Sequence, residues 1–86
     1  MQEVEFKLRG KVIRMARQMK DVRPRDFAKT VDIEPDYLCK IEREQRSLSI
    51  WNEIRILRGL RQLGVTDEQI WAIQMIVEHD EGKFDE

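Results

Sequence analysis

Residues 24–43 read PRDFAKTVDIEPDYLCKIER, and this stretch decides the fold. Pro24 and Pro35 each suit the first position of a helix, because the N–H that proline lacks would have no partner there. Asp32 interrupts the sequence between them, and aspartate is one of the few non-glycine residues that tolerates a left-handed backbone. The stretch therefore predicts two short helices that are joined by a tight turn.

Apolar residues repeat at helical spacing on both sides of this stretch. Leu8, Val12, Met15 and Met19 lie four and three apart before it, and Ile50, Ile54, Leu57 and Leu60 do so after it. Thr66 and Gln69 have the spacing of a capping box, and Val65 with Ile70 supplies the matching hydrophobic staple. The pattern predicts five helices, over 6–20, 24 to about 30, 35 to near 44, 50 to a stop at Gly64, and about 67–79. We find no alternation typical of strands.

The composition also favours a small all-α domain. The chain has 86 residues, of which 41% are hydrophobic and 38% charged, so each helix must be amphipathic around one core. One cysteine and one histidine exclude a disulfide framework and a zinc site, and we expect no metal and no cofactor. Residues 1–9 do not resemble a signal peptide, and the apolar stretch 70–77 is too short to cross a bilayer, so we expect a cytoplasmic protein.

Charge is distributed unevenly along the chain. The net charge is −1, but residues 1–65 carry +5 and residues 66–86 carry −6. A basic N-terminal segment followed by an acidic C-terminal segment is consistent with a nucleic-acid-binding protein. An ordinary solvated surface explains this charge distribution equally well. We therefore interpret 1–65 as a binding domain and 66–86 as a C-terminal helix with an acidic tail, used for dimerisation or for contact with a partner.

From Gly10 to Leu60 the chain resembles the lambda-repressor/Cro (XRE-type) helix-turn-helix family. Four segments carry the resemblance: Ile13-Arg14-Met15-Ala16-Arg17, Phe27-Ala28, Tyr37-Leu38-Cys39-Lys40-Ile41-Glu42-Arg43, and Ile54 to Leu60. The resemblance implies an all-α, five-helix, lambda-repressor-like domain in which helices 2 and 3 form the helix-turn-helix. It also implies a DNA-binding transcriptional regulator of the phage or mobile-element type, most simply a repressor, that lays helix 3 in the major groove.

The resemblance assigns roles to individual residues. It places Glu34, Pro35, Asp36 and Lys40 at the base edges, with Arg43 and Arg46 near the phosphates, and it implies a structural ion pair between Arg17 and Glu42. Independently, Asp36, Lys40 and Arg43 share one helix face by spacing. Lys40 can donate to guanine and Asp36 can accept from cytosine N4, whereas in the free protein we expect an Asp36–Lys40 ion pair.

The chain departs from the family pattern at several positions. Asp32 and Glu44 stand where the family commonly has glycine, and Glu34 stands where it often has serine or threonine, so acidic charge comes close to DNA. The family's Ser-Gln opening of helix 2 is Arg23-Pro24, and Pro24 cannot donate the phosphate contact that the glutamine makes. Arg23 and Arg25 replace that contact with charge-assisted ones in our interpretation. Weaker candidates for phosphate contacts are Lys29, Arg9, Lys11 and Arg14.

Helix 5 has more apolar side chains than one core-facing stripe requires. We predict that Ile70, Trp71 and Met75 form a second apolar surface that makes a homodimer, the alternative being a monomer in which they cover a small core. The rival function is a protein-interaction module, such as an antirepressor or adaptor, that binds another protein through helix 5 or the acidic tail. Since no nucleophile and base share local spacing and no glycine-rich phosphate loop occurs, we expect no enzyme activity.

Overall fold

Five α-helices make up the part of the chain that the computed structural model describes, residues 8–81, and this part contains no strand. The all-α class and the number of helices predicted from the sequence are confirmed. The helices are α1 (Gly10–Met19), α2 (Pro24–Val31), α3 (Pro35–Glu42), α4 (Ile50–Gln62) and α5 (Asp67–Asp80). Within residues 8–81, none of these helices has the length and apolar character needed to cross a membrane.

Local sequence signals set most of the helix ends. α2 and α3 begin at the two prolines, and Asp32 ends α2 with φ 59° and ψ 46° in the left-handed region. The Thr66 hydroxyl accepts from Gln69 N at 3.1 Å and the Gln69 side chain accepts from Thr66 N at 3.0 Å, so the predicted capping box starts α5. α4 stops before Gly64, whose φ of 93° suits glycine.

Two predicted helix ends are wrong. α1 was expected from residue 6, but Arg9 is extended and the helix begins at Gly10; residues 6 and 7 lie outside the described residues. The reason is tertiary, because Leu8 N donates to a Glu53 carboxylate oxygen at 2.9 Å and holds this segment away from the helix. α3 was expected to reach Glu44 but ends at Glu42, since Glu44 has a φ of 63°.

One hydrophobic core joins all five helices. α1 packs against α3, α4 and α5, while α2 packs against α3 and α4. The largest fully buried side chains are Phe27, Ile13, Leu38, Ile41, Ile56 and Leu60. Each such side chain stabilises the fold by roughly 1.5–3 kcal/mol relative to an exposed one. α5 adds Ile70, Ile73 and Val77 to the same core, so it is an integral part of this fold.

α4 turns its apolar stripe partly away from this core. Leu60 is buried, but Ile50 is 66% exposed, and Ile54 and Leu57 are only partly buried. Gly59 explains the rotation, because a Cβ atom there would collide with a Val31 methyl group of α2. α4 therefore approaches α2 through its glycine face, and much of the stripe predicted from spacing remains accessible.

Candidate nucleic-acid interface

α3 presents one polar face outward while its other face fixes it to the core. Leu38 and Ile41 are almost fully buried, whereas Asp36, Lys40 and Arg43 are exposed. The three exposed residues are spaced i, i+4 and i+7 and so follow one side of the helix. Their polar groups are accessible to a partner that lies along α3.

A buried ion pair attaches α3 to α1. Arg17 Nε and Nη2 donate to the two Glu42 carboxylate oxygens at 2.9 Å each, and Arg17 Nη1 donates to the Val22 carbonyl at 2.8 Å. The side chains are only 7% and 5% exposed. The structure thus brings together the two residues that the resemblance paired. Because the pair is bidentate and shielded from water, it fixes the orientation of α3 relative to α1.

Cationic side chains are exposed on the elements next to α3 in the chain. Arg25 and Lys29 of α2 are exposed, and so is Arg46 in the loop after α3. Arg23, the N-cap residue of α2, donates to Asp26 at 3.1 Å, and this exposed ion pair contributes less than about 1 kcal/mol. This weak pairing leaves Arg23 readily available to a competing anion.

Arg43 also lines a shallow groove where α1, α2 and α3 meet. Arg14 lies on the α1 side of the groove, Pro24 begins the α2 side, and Cys39 belongs to α3. Both arginines are exposed at the rim. The groove therefore extends the cationic surface from α3 to α1.

The acidic residues near α3 differ in how far their charge is compensated. Glu34 and Asp36 are exposed, at the N-cap and in the first turn of α3, where the helix dipole favours a negative charge by about 0.3–1 kcal/mol. The Asp36–Lys40 ion pair expected in the free protein does not form: within residues 8–81 neither side chain makes a salt bridge, so Lys40 keeps its ammonium group for another partner. Glu44, by contrast, is paired with Arg9.

Arg9 and Lys11, which the sequence offered as minor phosphate candidates, belong instead to an ion-pair network that sequence reasoning missed. Arg9 donates to both oxygens of Glu44 at 2.9 Å and to Glu81 at 2.8 and 3.1 Å, and Lys11 donates to Glu81 at 2.9 Å. No local signal could have revealed it, because Arg9 and Glu81 are 72 positions apart.

The network shifts the pKa of each group that it pairs. Hydrogen bonds from Arg9, and then from Lys11, lower the pKa of Glu81 to about 2. The side chain of Arg9 likewise lowers the pKa of Glu44, and both glutamates raise the pKa of Arg9. The carboxylates therefore stay ionised well into the acid range.

We expect the contribution of Glu81 to stability to disappear in acid. Its pKa is lower in the folded chain than the ordinary 4.5, so the stabilisation is complete above about pH 5 and is lost as the pH falls from 4.5 towards 2. Thermal melts of the wild type and of Glu81→Gln should differ at pH 6, and the difference should become much smaller as the pH falls to 2, where Glu81 is partly protonated. A difference that persists unchanged at pH 2 would contradict this expectation, as would one that 1 M salt leaves unaltered at pH 6.

The predicted surface on α5 is only partly correct. Ile70 is 3% exposed and forms the floor of a groove between α4 and α5, so assigning it to the outer surface is wrong. Trp71 and Met75 are exposed by 61% and 55%. Two further apolar residues of α4, Ile50 and Trp51, are also exposed, by 66% and 72%. α4 therefore also exposes apolar side chains, in its first turn.

Comparisons with protein-family models, with curated proteins and with solved structures gave no match to this chain. Within residues 8–81, no group of three or more histidine, cysteine, aspartate or glutamate residues is arranged to hold a metal ion.

Proposed function

We propose that this protein is a sequence-specific DNA-binding transcriptional regulator in which α2 and α3 act as a helix-turn-helix and α3 enters the major groove. The observation that carries the proposal is the exposed row of Asp36, Lys40 and Arg43 on a helix whose opposite face is fixed to the core. An α-helix with its side chains is about 10–12 Å wide, which matches a major groove about 12 Å wide.

The chemistry of α3 favours a G·C pair in the recognition site. The Lys40 ammonium group is a donor that suits guanine O6 and N7, and the Asp36 carboxylate is an acceptor that suits cytosine N4. Glu34 and Pro35 begin the same helix and would lie beside the neighbouring bases. Because Lys40 has no salt bridge within residues 8–81, binding a base breaks no ion pair of that side chain.

The flanking cations supply the contacts to the DNA backbone. In this proposal the phosphates are held by Arg23, Arg25, Lys29, Arg43 and Arg46, all of which are exposed. Arg23 exchanges its weak pair with Asp26 for a phosphate oxygen. Such contacts fix the position of α3 on the duplex without reading sequence.

The resemblance to the lambda-repressor/Cro family gives this proposal its biological form, a repressor of the phage or mobile-element type. Two departures from the family pattern are compatible with it. Asp32 and Glu44, which replace common glycines, both adopt the positive φ that such glycines supply, at 59° and 63°. The charge of Glu44 is neutralised by Arg9, so this glutamate repels DNA less than its sequence position implied.

A second copy of the chain completes the proposal. Trp71 and Met75 of α5 supply an exposed apolar surface for a homodimer, which would read two half-sites one helical turn, about 34–36 Å, apart. Light scattering at high micromolar concentration tests this part directly. A monomer there would remove the dimer from the proposal and leave a single half-site.

Exposed apolar side chains on α4 and on α5 favour a second candidate function, a protein-interaction module. Ile50, Trp51, Trp71 and Met75 are each more than half exposed, and exposed apolar patches often mark protein interfaces. The acidic Glu34 and Asp36 also fit an antirepressor or adaptor better than they fit a DNA-reading helix. Failure to bind any DNA at low salt, together with a stable complex with another protein, would favour this candidate.

Selection of bound sequences from a random DNA pool tests the main proposal. With the selected site, we expect Lys40→Ala to lose about 1–3 kcal/mol of discrimination and to relax the preference at one base pair. Arg25→Ala should weaken all sequences alike and should reduce the slope of log affinity against log salt by about 1. Fluorescence anisotropy over a salt series measures both effects.

Arg61→Ala is the matched control for this experiment. It removes the same unit of charge from an exposed arginine, but this arginine lies in the groove between α4 and α5 and pairs with Asp67. We expect it to leave the sequence preference unchanged. Equal effects of Lys40→Ala and Arg61→Ala on every sequence would show that only bulk charge matters, and the assignment of α3 would be wrong.

A further inference from the structure

One guanidinium group joins three separate elements of this fold. Arg9 immediately precedes α1, Glu44 follows α3, and Glu81 follows α5. We call the set Arg9, Lys11, Glu44 and Glu81 the Arg9 clasp. Arg9 Nε and Nη2 contact the two oxygens of Glu44, while Nη1 and Nη2 contact those of Glu81. A planar, forked donor that is shared in this way fixes geometry as well as charge.

The clasp contacts the chain at the point where it leaves α3. Glu44 has a φ of 63°, its N–H donates to the Ile41 carbonyl at 2.9 Å, and its carboxylate also accepts from Lys11 N at 3.4 Å. A glutamate in this backbone region is strained, and the surrounding contacts must hold it. The bidentate Arg9 contact is the strongest of them.

The segment held by the clasp contains proposed phosphate contacts. Arg43 lies one residue before Glu44 and Arg46 two residues after it, and both are exposed. A shift of Glu44 would therefore move these two guanidinium groups relative to α3. The clasp is therefore connected to the proposed interface through the segment that it holds, and it needs no contact of its own with DNA.

Among the hydrogen bonds and salt bridges of residues 8–81, the end of α5 is linked to this segment through Glu81 and Arg9. Within residues 8–81, the neighbouring charged side chains Asp80, Arg14, Arg46 and Glu53 form no salt bridge with the clasp. Glu53 is occupied by Leu8 N. Removing the carboxylate of Glu81 therefore separates the end of α5 from Arg9 and leaves the Arg9–Glu44 contact in place but less constrained.

We propose that Arg9 is a positioning residue that holds the segment after α3 in its DNA-binding position, and that α5 controls this segment through Glu81. The inference rests on the proposed DNA-binding function and adds a means of regulating it. A partner or a change in solvent that frees the end of α5 loosens the segment and lowers DNA affinity. In this proposal the end of α5 is coupled to the DNA interface through the Arg9 side chain, which contacts both Glu81 and Glu44.

Two variants of equal net charge test the proposal. Glu81→Gln removes one negative charge from the clasp, and Asp80→Asn removes one from the adjacent residue, which forms no salt bridge within residues 8–81. We expect Glu81→Gln to bind the selected DNA site about threefold to tenfold more weakly than Asp80→Asn. Because the two variants carry the same charge, nonspecific attraction to DNA cancels in the comparison.

Amide hydrogen exchange of the DNA-free proteins gives a second readout. Exchange at residues 44–48 should be several-fold faster in Glu81→Gln than in Asp80→Asn, with no change at Leu60 in the core. Arg9→Lys, which keeps the charge but loses the forked geometry, should have the same effect on residues 44–48. An equal rise at Leu60 would indicate general destabilisation and would overturn the positioning role.

The outcomes separate the two proposals. Wild-type protein that binds no DNA from the pool overturns the proposed function, and hydrogen exchange then decides by itself whether α5 holds the segment. Wild-type protein that binds DNA, with Glu81→Gln and Asp80→Asn alike in affinity and in exchange, overturns the role of the clasp and leaves the proposed function intact.

Discussion

Glu42→Ala is expected to lower the free energy of unfolding by about 3–5 kcal/mol, a large part of the 5–15 kcal/mol typical of small domains. Most of this loss comes from the Arg17 guanidinium, which stays buried without its counter-ion. Without the carboxylate, the Arg17 guanidinium keeps only its contact with the Val22 carbonyl in a site that is almost closed to water. A buried charge without a counter-ion is far more costly than the absence of an ion pair.

Glu44→Ala provides a matched control for this prediction. Glu44 binds Arg9 at the same 2.9 Å and in the same bidentate way, but the two side chains are 29% and 26% exposed. When Glu44 is replaced, Arg9 keeps its contacts with Glu81 and is accessible to water, so the Glu44 carboxylate contributes about 1 kcal/mol or less. Alanine suits the positive φ at this position no better than glutamate does, so the backbone strain does not change. Urea unfolding of both variants should separate them by at least 2 kcal/mol. Equal losses would show that burial does not govern the cost.

The apolar double variant Arg17→Met, Glu42→Leu separates the cost of an unpaired buried charge from the cost of losing the ion pair. It removes both buried charges and fills their space, so we expect it to recover most of the stability that Glu42→Ala loses. Recovery of stability with loss of DNA affinity would mean that the ion pair serves the orientation of α3 more than the stability of the fold. Since we expect the double variant to fold, its DNA affinity can be compared directly with that of the wild type.

Local chemistry made the helical plan predictable from the sequence. Pro24 and Pro35 fixed two helix starts, Asp32 marked the turn by its tolerance of a left-handed backbone, and Thr66 with Gln69 began α5. Each signal acts through atoms within a few residues. These helix starts and this turn can therefore be read from a few neighbouring residues, without knowledge of the tertiary contacts.

The features that could not be predicted from the sequence depend on long-range contacts. The outward rotation of α4 depends on the approach of Gly59 to α2, and the fate of Arg9 depends on Glu81 at the far end of the chain. The sequence showed that α5 has more apolar residues than one core-facing stripe needs, but spacing could not show that Ile70 is among those that face the core. For the candidate interface, spacing placed Asp36, Lys40 and Arg43 on one face, whereas the Arg17–Glu42 pair came from the resemblance alone.

Gly10→Ala is expected to destabilise the protein by about 2–3 kcal/mol, although alanine is the better helix former by roughly 0.5–1 kcal/mol. A Cβ atom at position 10 would collide with the Ile41 carbonyl oxygen and would lie 3.0 Å from the Glu42 carbonyl oxygen. Both obstacles are backbone atoms of α3, which cannot rotate away as a side chain can. α1 must therefore move away from the end of α3, and the buried ion pair between these helices is strained with it.

Gly64→Ala separates this steric effect from ordinary glycine strain. At Gly64 a Cβ atom meets nothing nearer than Lys20 Nζ at 3.6 Å, but the φ of 93° is unfavourable for alanine, so we expect a loss of about 1–2 kcal/mol from the backbone alone. Denaturant unfolding should rank Gly10→Ala as the more harmful change. A Gly10→Ala variant as stable as the wild type would mean that α1 and α3 are not in close contact, and the orientation of the proposed DNA-reading helix would have to be abandoned.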